Sequence, residues 1–281
     1  MTKFFQAAAV AALLPTTYLS NVGPKVPKRP SAQVVTVTAV DYGFEAPTSV
    51  AAGTVTLKLV NRGKEFHHLA IAKLEQGHTI DDLQKAPPGP PPEWFKTVGG
   101  PNAPALGGSA QATVTLEPGN YVLMCFIPSP GDGKSHFMKG MMKPLTVTGP
   151  SATPVEPNAD VTMRLVDYGF DIKGQLTAGK RVIRVQNDAE QGHEVFIAKL
   201  NPGKSAMDLA QWAEKLEGPP PAVPMGGATP MEKGRYLYLT LNLEPGRYAL
   251  LCFAPDAKDG RSHISHGMIR EITVGERVAR K

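Results

Sequence analysis

Apolar and polar residues alternate over short runs through most of this chain, which is the period of a half-buried strand rather than of a helix. Gln33 to Val40 and Val161 to Val166 are such runs. Thr54 to Val60 and Arg181 to Val185 follow, each opened by an Ala-Gly turn at Ala52-Gly53 or Ala178-Gly179. Further strands are predicted over Phe66 to Leu74, Ala112 to Leu116, Tyr121 to Ile127 and Pro144 to Val147, with counterparts in the second half. Short strands at this spacing, punctuated by Pro-Gly turns, predict an all-β chain built of Greek-key β-sandwiches. Helix signals are confined to one long connection in each half. Thr79 and Ser205 each have an Asp three residues on (Asp82, Asp208), the mark of a capped helix start. The Pro-rich stretches Pro87 to Pro92 and Pro219 to Pro224 are expected to close those short helices.

The pattern occurs twice. Asp41-Tyr42-Gly43-Phe44 recurs as Asp167-Tyr168-Gly169-Phe170, and His67 to Leu74 recurs as His193 to Leu200, both at an offset of 126. One residue later in register, Leu116-Glu117-Pro118-Gly119 matches Leu243-Glu244-Pro245-Gly246, and Tyr121 matches Tyr248. Cys125-Phe126 then matches Cys252-Phe253, His136 matches His263, and Met141 matches Met268. A repeat of this length implies two tandem sandwich domains, expected at residues 31–148 and 160–275, joined by a Pro/Ser-rich linker at 149–159. Residues 276–281 form a basic tail. Residues 1–30 are expected to hold a signal peptide and a disordered lead, because Lys3 precedes an apolar run from Phe4 to Leu14 that is too short to span a bilayer. No other segment is apolar and long enough to cross a membrane, so the mature chain is expected to be exported, to the periplasm or beyond.

Composition adds little to this. The 281 residues are 42% hydrophobic, enough for each half to bury a core. The formal net charge of +5 is spread without a basic block or a basic-aromatic stripe, which argues against nucleic acid. A mildly basic surface would favour an acidic partner. An even cysteine count in an exported protein usually suggests a disulfide. Cys125 and Cys252, however, are one position used twice, in two separate cores, and are not expected to meet.

Each repeat offers one upstream His followed by Cys-x10-His-x4-Met. The first set is His67, Cys125, His136 and Met141; the second is His193, Cys252, His263 and Met268. A thiolate and two imidazoles with a weak thioether suit a blue-copper site, where sulfur stabilises Cu(I) and nitrogen accommodates Cu(II). Strand alternation places His67 with Leu69 and Ile71 on the apolar face, and Cys125 with Tyr121 and Leu123. His68 and its counterpart Glu194 would point the other way, so His68 is expected to face solvent. Met138 and Met142 are read as packing residues, His266 as a surface residue, and His78 as a loop residue without a role. The Asp-Tyr-Gly-Phe repeat is read as a structural turn at a strand end.

These residues resemble the cupredoxin family, which includes plastocyanin, azurin and the type 1 domains of copper oxidases and nitrite reductases. The closing runs His136 to Met141 and His263 to Met268 are similar to the His-x-x-x-Gly-Met of copper nitrite reductases. The resemblance implies one copper ion per domain, two per chain, and electron transfer to a redox protein partner without a catalytic residue. Three positions depart from the family. The Cys-to-His spacing is longer than in small carriers. His68 and Glu194 stand where the family often has the Asn that ties the ligand loops. Met124 and Leu251 precede the cysteines, where oxidases and reductases place a His leading to a catalytic centre. That third departure disfavours a two-domain copper oxidoreductase, which would have only His68, His78 and His266 left for a second centre. A periplasmic copper store or chaperone, suggested by the methionines around His136, is the other alternative, and a metal-free binding module is the last.

Overall fold

A computed structural model describes Met1 and residues 32–87, 91–151 and 153–276; the signal-like run and most of the basic tail lie outside these residues. The first repeat contributes β1 (Gln33–Val40), β2 (Gly43–Glu45), β3 (Ser49–Ala51), β4 (Gly53–Asn61), β5 (Ala70–Leu74), α1 (Ile80–Lys85), β6 (Phe95–Thr97), β7 (Ser109–Leu116), β8 (Gly119–Met124) and β9 (Met142–Thr148). The second contributes β10 (Val161–Val166), β11 (Gly169–Lys173), β12 (Gly179–Asn187), β13 (His193–Leu200), α2 (Ala206–Lys215), β14 (Ala222–Met231), β15 (Tyr236–Leu243), β16 (Gly246–Leu251) and β17 (Ile269–Val274). The architecture is all-β, with one short α-helix in each long connection. The α2 start is held as its sequence predicts: Asp208 N–H donates to Ser205 Oγ, and Ser205 N–H donates to Asp208 Oδ2.

Among the described residues the strands form three sheets. A five-stranded sheet runs β3-β9-β8-β5-β6, and a four-stranded sheet runs β14-β13-β16-β17. The third belongs to both repeats, in the order β11-β10-β12-β15-β7-β4-β1-β2. Its two halves meet where β15 pairs antiparallel with β7, Tyr238 opposite Thr113 and Leu239 opposite Ala112. In each half the first strand lies parallel to the strand that follows it in the sheet, β1 beside β4 and β10 beside β12, as Greek-key crossing requires.

Alternation decides what lies between the layers. Val55, Leu57 and Leu59 of β4 point inward with Ile71 of β5 and Leu123 of β8; Ile183 and Val185 of β12 do the same with Ile197 and Leu250. Each such side chain stabilises the fold by about 1.5–3 kcal/mol on burial. Where the sequence suggests a core for each half, the buried residues of both join in one cluster, with Leu237 and Leu239 of β15 among them.

The segment expected to be a short linker is also engaged. Val155 N–H donates to Thr54 Oγ1 of the first repeat at 2.7 Å. Glu156 accepts from Tyr236 and Tyr238 of the second at 2.5 and 2.7 Å.

Two elements differ from expectation. Pro219 to Pro224 does more than end α2, because β14 starts at Ala222 and runs through Pro224. It lies at the edge of its sheet, where a missing N–H is tolerated. The first repeat has only the short β6 in the matching place, and its following residues pair across the repeats instead. Val98, Pro101 and Pro104 bridge to Met231, Ala228 and Met225 of β14. For the same reason β5 begins at Ala70 rather than Phe66: Leu69 N–H donates to Pro101 O at 3.0 Å.

Leu239→Ala should therefore cost about 2–5 kcal/mol in global stability. The chain has two tryptophans, Trp94 in the first repeat and Trp212 in the second, so fluorescence of the two Trp→Phe variants reports each half during denaturation. The two transitions should coincide and shift together in Leu239→Ala; separate midpoints would show that the halves unfold independently.

Candidate metal centres

His193 opens β13, whereas His67 lies in the segment just before β5, and each Cys follows the last residue of the neighbouring strand: Cys125 after β8, Cys252 after β16. Backbone bonds fix the loop that returns. Met141 N–H donates to His136 O at 2.8 Å, and Cys125 N–H to Met141 O at 3.3 Å. The second repeat has the same pair, Met268 to His263 at 2.9 Å and Cys252 to Met268 at 3.2 Å. All eight residues singled out from the sequence are buried, and Met141 and Met268 stand beside the cysteines through these bonds.

In the first repeat Cys125 Sγ lies 3.4 Å from His136 Nδ1, which lies 3.0 Å from His67 Nδ1. In the second, Cys252 Sγ lies 3.2 Å from His263 Nδ1 and 3.8 Å from His193 Nδ1. Within each set the sulfur and one nitrogen of each imidazole fall within 4.8 Å of one another. The outer ring nitrogens are engaged. His67 Nε2 meets Asp41 Oδ1 at 3.1 Å, and His193 Nε2 meets Asp167 Oδ1 at 2.5 Å. His136 Nε2 meets Glu65 Oε2 at 2.8 Å, whereas His263 Nε2 meets Gln191 Oε1 at 3.1 Å.

These contacts test whether the residues fit a metal. A carboxylate oxygen accepts, and so does the Gln191 amide oxygen, so the proton of each imidazole belongs on Nε2 and the lone pair on Nδ1. Two lone pairs then face each other across 3.0 Å between His67 and His136, an arrangement that a cation resolves. Burial also pushes the Cys125 thiol up to about 12 and raises Cys252 as well, so neither is an anion without a positive charge beside it. Burial lowers the His67 and His193 imidazoles and brings His263 down to about 4, which leaves them neutral and able to coordinate. A soft thiolate with two imidazoles suits copper. The donor set fits.

His68 corrects the sequence reading. It is buried, with Nε2 accepting from Phe126 N–H at 2.9 Å, while its own N–H donates to Cys125 Sγ at 3.5 Å. Burial lowers its imidazole to about 3. Glu194 does the same in the second repeat: its N–H donates to Cys252 Sγ at 3.4 Å and Oε1 accepts from Phe253 N–H at 2.9 Å. Strand alternation fails here because these residues point toward the backbone that follows the Cys, not outward. They tie the segment that carries each upstream His to the backbone that follows each Cys.

The Asp-Tyr-Gly-Phe repeat also does more than turn the chain. Asp41 and Asp167 hold the upstream imidazoles, and Tyr42 and Tyr168 hold the partners of the downstream ones. Tyr42 OH donates to Glu65 Oε1 at 2.8 Å, and Tyr168 OH donates to Asp256 Oδ2 at 2.5 Å. Asp256 takes the place of Ser129 and accepts from Gln191 Nε2 at 3.0 Å. The first centre thus has a carboxylate directly on its downstream imidazole, and the second has an amide with the carboxylate one contact further out. Exact recurrence of the tetrapeptide was the available signal; Glu65 and Gln191, which differ, gave none.

The remaining candidates lie apart. Met138 is exposed and Met142 half-buried. His78 stacks on Trp94 at 4.2 Å, and His266 is half-buried, stacked on Tyr168 at 4.8 Å with Nε2 3.2 Å from Asp259. No helix among the described residues is long and apolar enough to cross a membrane.

Paired sandwiches with a His-Cys-His set at the same end of each repeat define a tandem cupredoxin-like protein. No family model matches the sequence, and no curated protein matches it either. Solved structures do. Reduced auracyanin from Roseiflexus castenholzii is similar over 42% of this chain and 98% of its own, at 18% identity and a TM-score of 0.29. The blue copper oxidase of Nitrosomonas europaea is similar over 88% of this chain and 86% of its own, at 14% identity and a TM-score of 0.26. The copper nitrite reductase of the same organism is similar over 86% of this chain and 93% of its own, at 15% identity and a TM-score of 0.22.

Removing the carboxylate behind an upstream imidazole frees the ring to rotate and change tautomer. Asp41→Ala should weaken metal binding at the first centre by about 10–100-fold and leave the second unchanged. Competition with a chelator in a Cys252→Ser background measures the first centre alone; an unaltered affinity there would remove Asp41 from the site.

Proposed function

We propose that this chain is an exported electron-transfer protein holding one type 1 copper ion per repeat. The observation that carries this reading is the twofold convergence of a buried sulfur and two imidazole Nδ1 atoms. His67, Cys125, His136 and Met141 would hold one ion, and His193, Cys252, His263 and Met268 would hold the other. Bound copper supplies a one-electron couple between Cu(II) and Cu(I).

The chain's own residues supply the rest. The cysteines deliver thiolates once their protons leave. Asp41, Glu65, Asp167 and Gln191 keep the imidazole protons on Nε2. His68 and Glu194 clamp the strand end that carries each sulfur, so the donors change place little as charge changes. Complete burial of the donors keeps bulk water off them. A redox protein, acidic where it meets this basic chain, is the partner this reading calls for. The exposed Phe126, packed 5.3 Å from Phe137 in the first ligand loop, offers it an apolar contact.

Loading the protein with Cu(II) while recording visible spectra and copper per chain tests the proposal. An intense thiolate-to-copper band should appear, vanish on reduction, and fall by about half in Cys252→Ser, which deletes one of two thiolates. Copper uptake without that band would point to storage instead, and no uptake would end the copper reading.

A further inference from the structure

The two sulfurs are joined by a continuous line of bonds. Cys125 Sγ accepts from His68 N–H at 3.5 Å, and the next residue, Leu69, donates its N–H to Pro101 O at 3.0 Å. Pro101 is bonded to Asn102, whose Nδ2 donates to Glu194 Oε2 at 3.0 Å. Glu194 N–H then donates to Cys252 Sγ at 3.4 Å. His68, Asn102 and Glu194 are all buried, so the line runs through dry protein. Both ends of the crossing are fixed. Asn102 Oδ1 accepts from Ala103 N–H at 2.8 Å, which aims its amide nitrogen at the second repeat, and Asn102 N–H donates to Gly227 O at 2.9 Å. Glu194 Oε1 is held by Phe253, which leaves Oε2 for Asn102.

Electronic coupling decays more slowly along covalent and hydrogen bonds than across van der Waals gaps. A strand-end clamp needs only the contacts to Phe126 or Phe253 and to sulfur, so the bond from Glu194 to the other repeat is surplus to holding its own centre. His68, at the same position in the first repeat, makes no such reach.

We propose that Asn102 and Glu194 form the electronic bridge between the two metal centres of one chain. The proposal rests on the type 1 copper reading above. In each passage the reduced centre is oxidised by one electron and the oxidised centre is reduced by it; no bond breaks and no proton moves. Asn102 and Glu194 are positioning residues, since neither donates an atom to a metal.

The test uses the full chain loaded with copper. Cys125→Ser and Cys252→Ser assign the absorption and paramagnetic resonance signals of each centre. A pulse of reductant too small to reduce every centre is then followed by redistribution between them. The expected relaxation is first order and independent of protein concentration. Asn102→Asp sets one carboxylate against another, and Glu194→Gln, whose remaining oxygen is taken by Phe253 N–H, sets one amide against another; each should slow the relaxation severalfold. Together they restore the hydrogen bond with its polarity reversed, and the rate should recover. A merely structural pair would not show that recovery in rate with bands unchanged throughout. Unaltered rates in both single variants, a double variant as slow as the singles, or redistribution that scales with protein concentration would overturn the bridge and leave the copper reading intact. Absence of any thiolate-to-copper band would overturn both. If one single variant loses its bands, the other single and the double variant decide.

Discussion

A thiol and two imidazoles cannot be packed against one another in a dry core without some means of settling their protons and charges. Burial alone pushes the Cys125 thiol toward its neutral form and does the same to the His67 imidazole, so two neutral groups are left with unshared electron pairs crowded together. Much of the surrounding structure answers that constraint. Carboxylates outside the cluster, and the Gln191 amide oxygen at His263, draw the imidazole protons outward, backbone N–H groups are aimed at each sulfur, and a rigid sandwich end prevents the donors from escaping to water. What remains at the centre is a set of lone pairs facing inward, which is a description of a place for a soft cation.

Duplication has produced two solutions to that constraint that are alike where the donors are and unlike just behind them. Asp41 and Asp167 are interchangeable. Glu65 and Gln191 are not, nor are Ser129 and Asp256, so the negative charge behind the downstream imidazole lies in direct contact in one repeat and one hydrogen bond away in the other. A full charge at close range favours the more highly charged state of whatever the site holds. His68 and Glu194 diverge as well, and only the residue of the second repeat reaches across to its neighbour. The same His-Cys-His set with unequal surroundings is a means of making two sites differ without altering the side chains that face inward.

Much of this was legible in the sequence because it depends on short periods and exact recurrence. Strand alternation gave the inward faces of β1, β4 and β8, and the spacing of His, Cys and His picked out buried side chains that the fold brings together in each repeat. Ser205 and Asp208 announced the start of α2. Alternation could not find the orientation of His68, because a residue at a strand end obeys the nearest unsatisfied backbone group rather than the pleat. Nor could it find β14, whose prolines read as a breaker until an edge position made them harmless. The role of the Asp-Tyr-Gly-Phe turn was visible only as repetition, since each imidazole it holds is 26 residues away. The joining of the repeats through β7 and β15 left no local trace at all; it rests on two pairs of residues more than a hundred positions apart.

That junction bears on what each half could be by itself. β7 has β4 on one side and β15 on the other, and β15 has β12 and β7. Part the chain between its repeats and both become open margins, with Ala112 and Val114 on one inner face and Leu237 and Leu239 on the other. A bare strand margin backed by apolar residues recruits whatever extended chain it meets. Either repeat released alone would therefore be a sheet in search of a ninth-hour partner, prone to seize a second copy of itself. The fusion of the two is a form of chaperoning in which each copy keeps the other from its own kind.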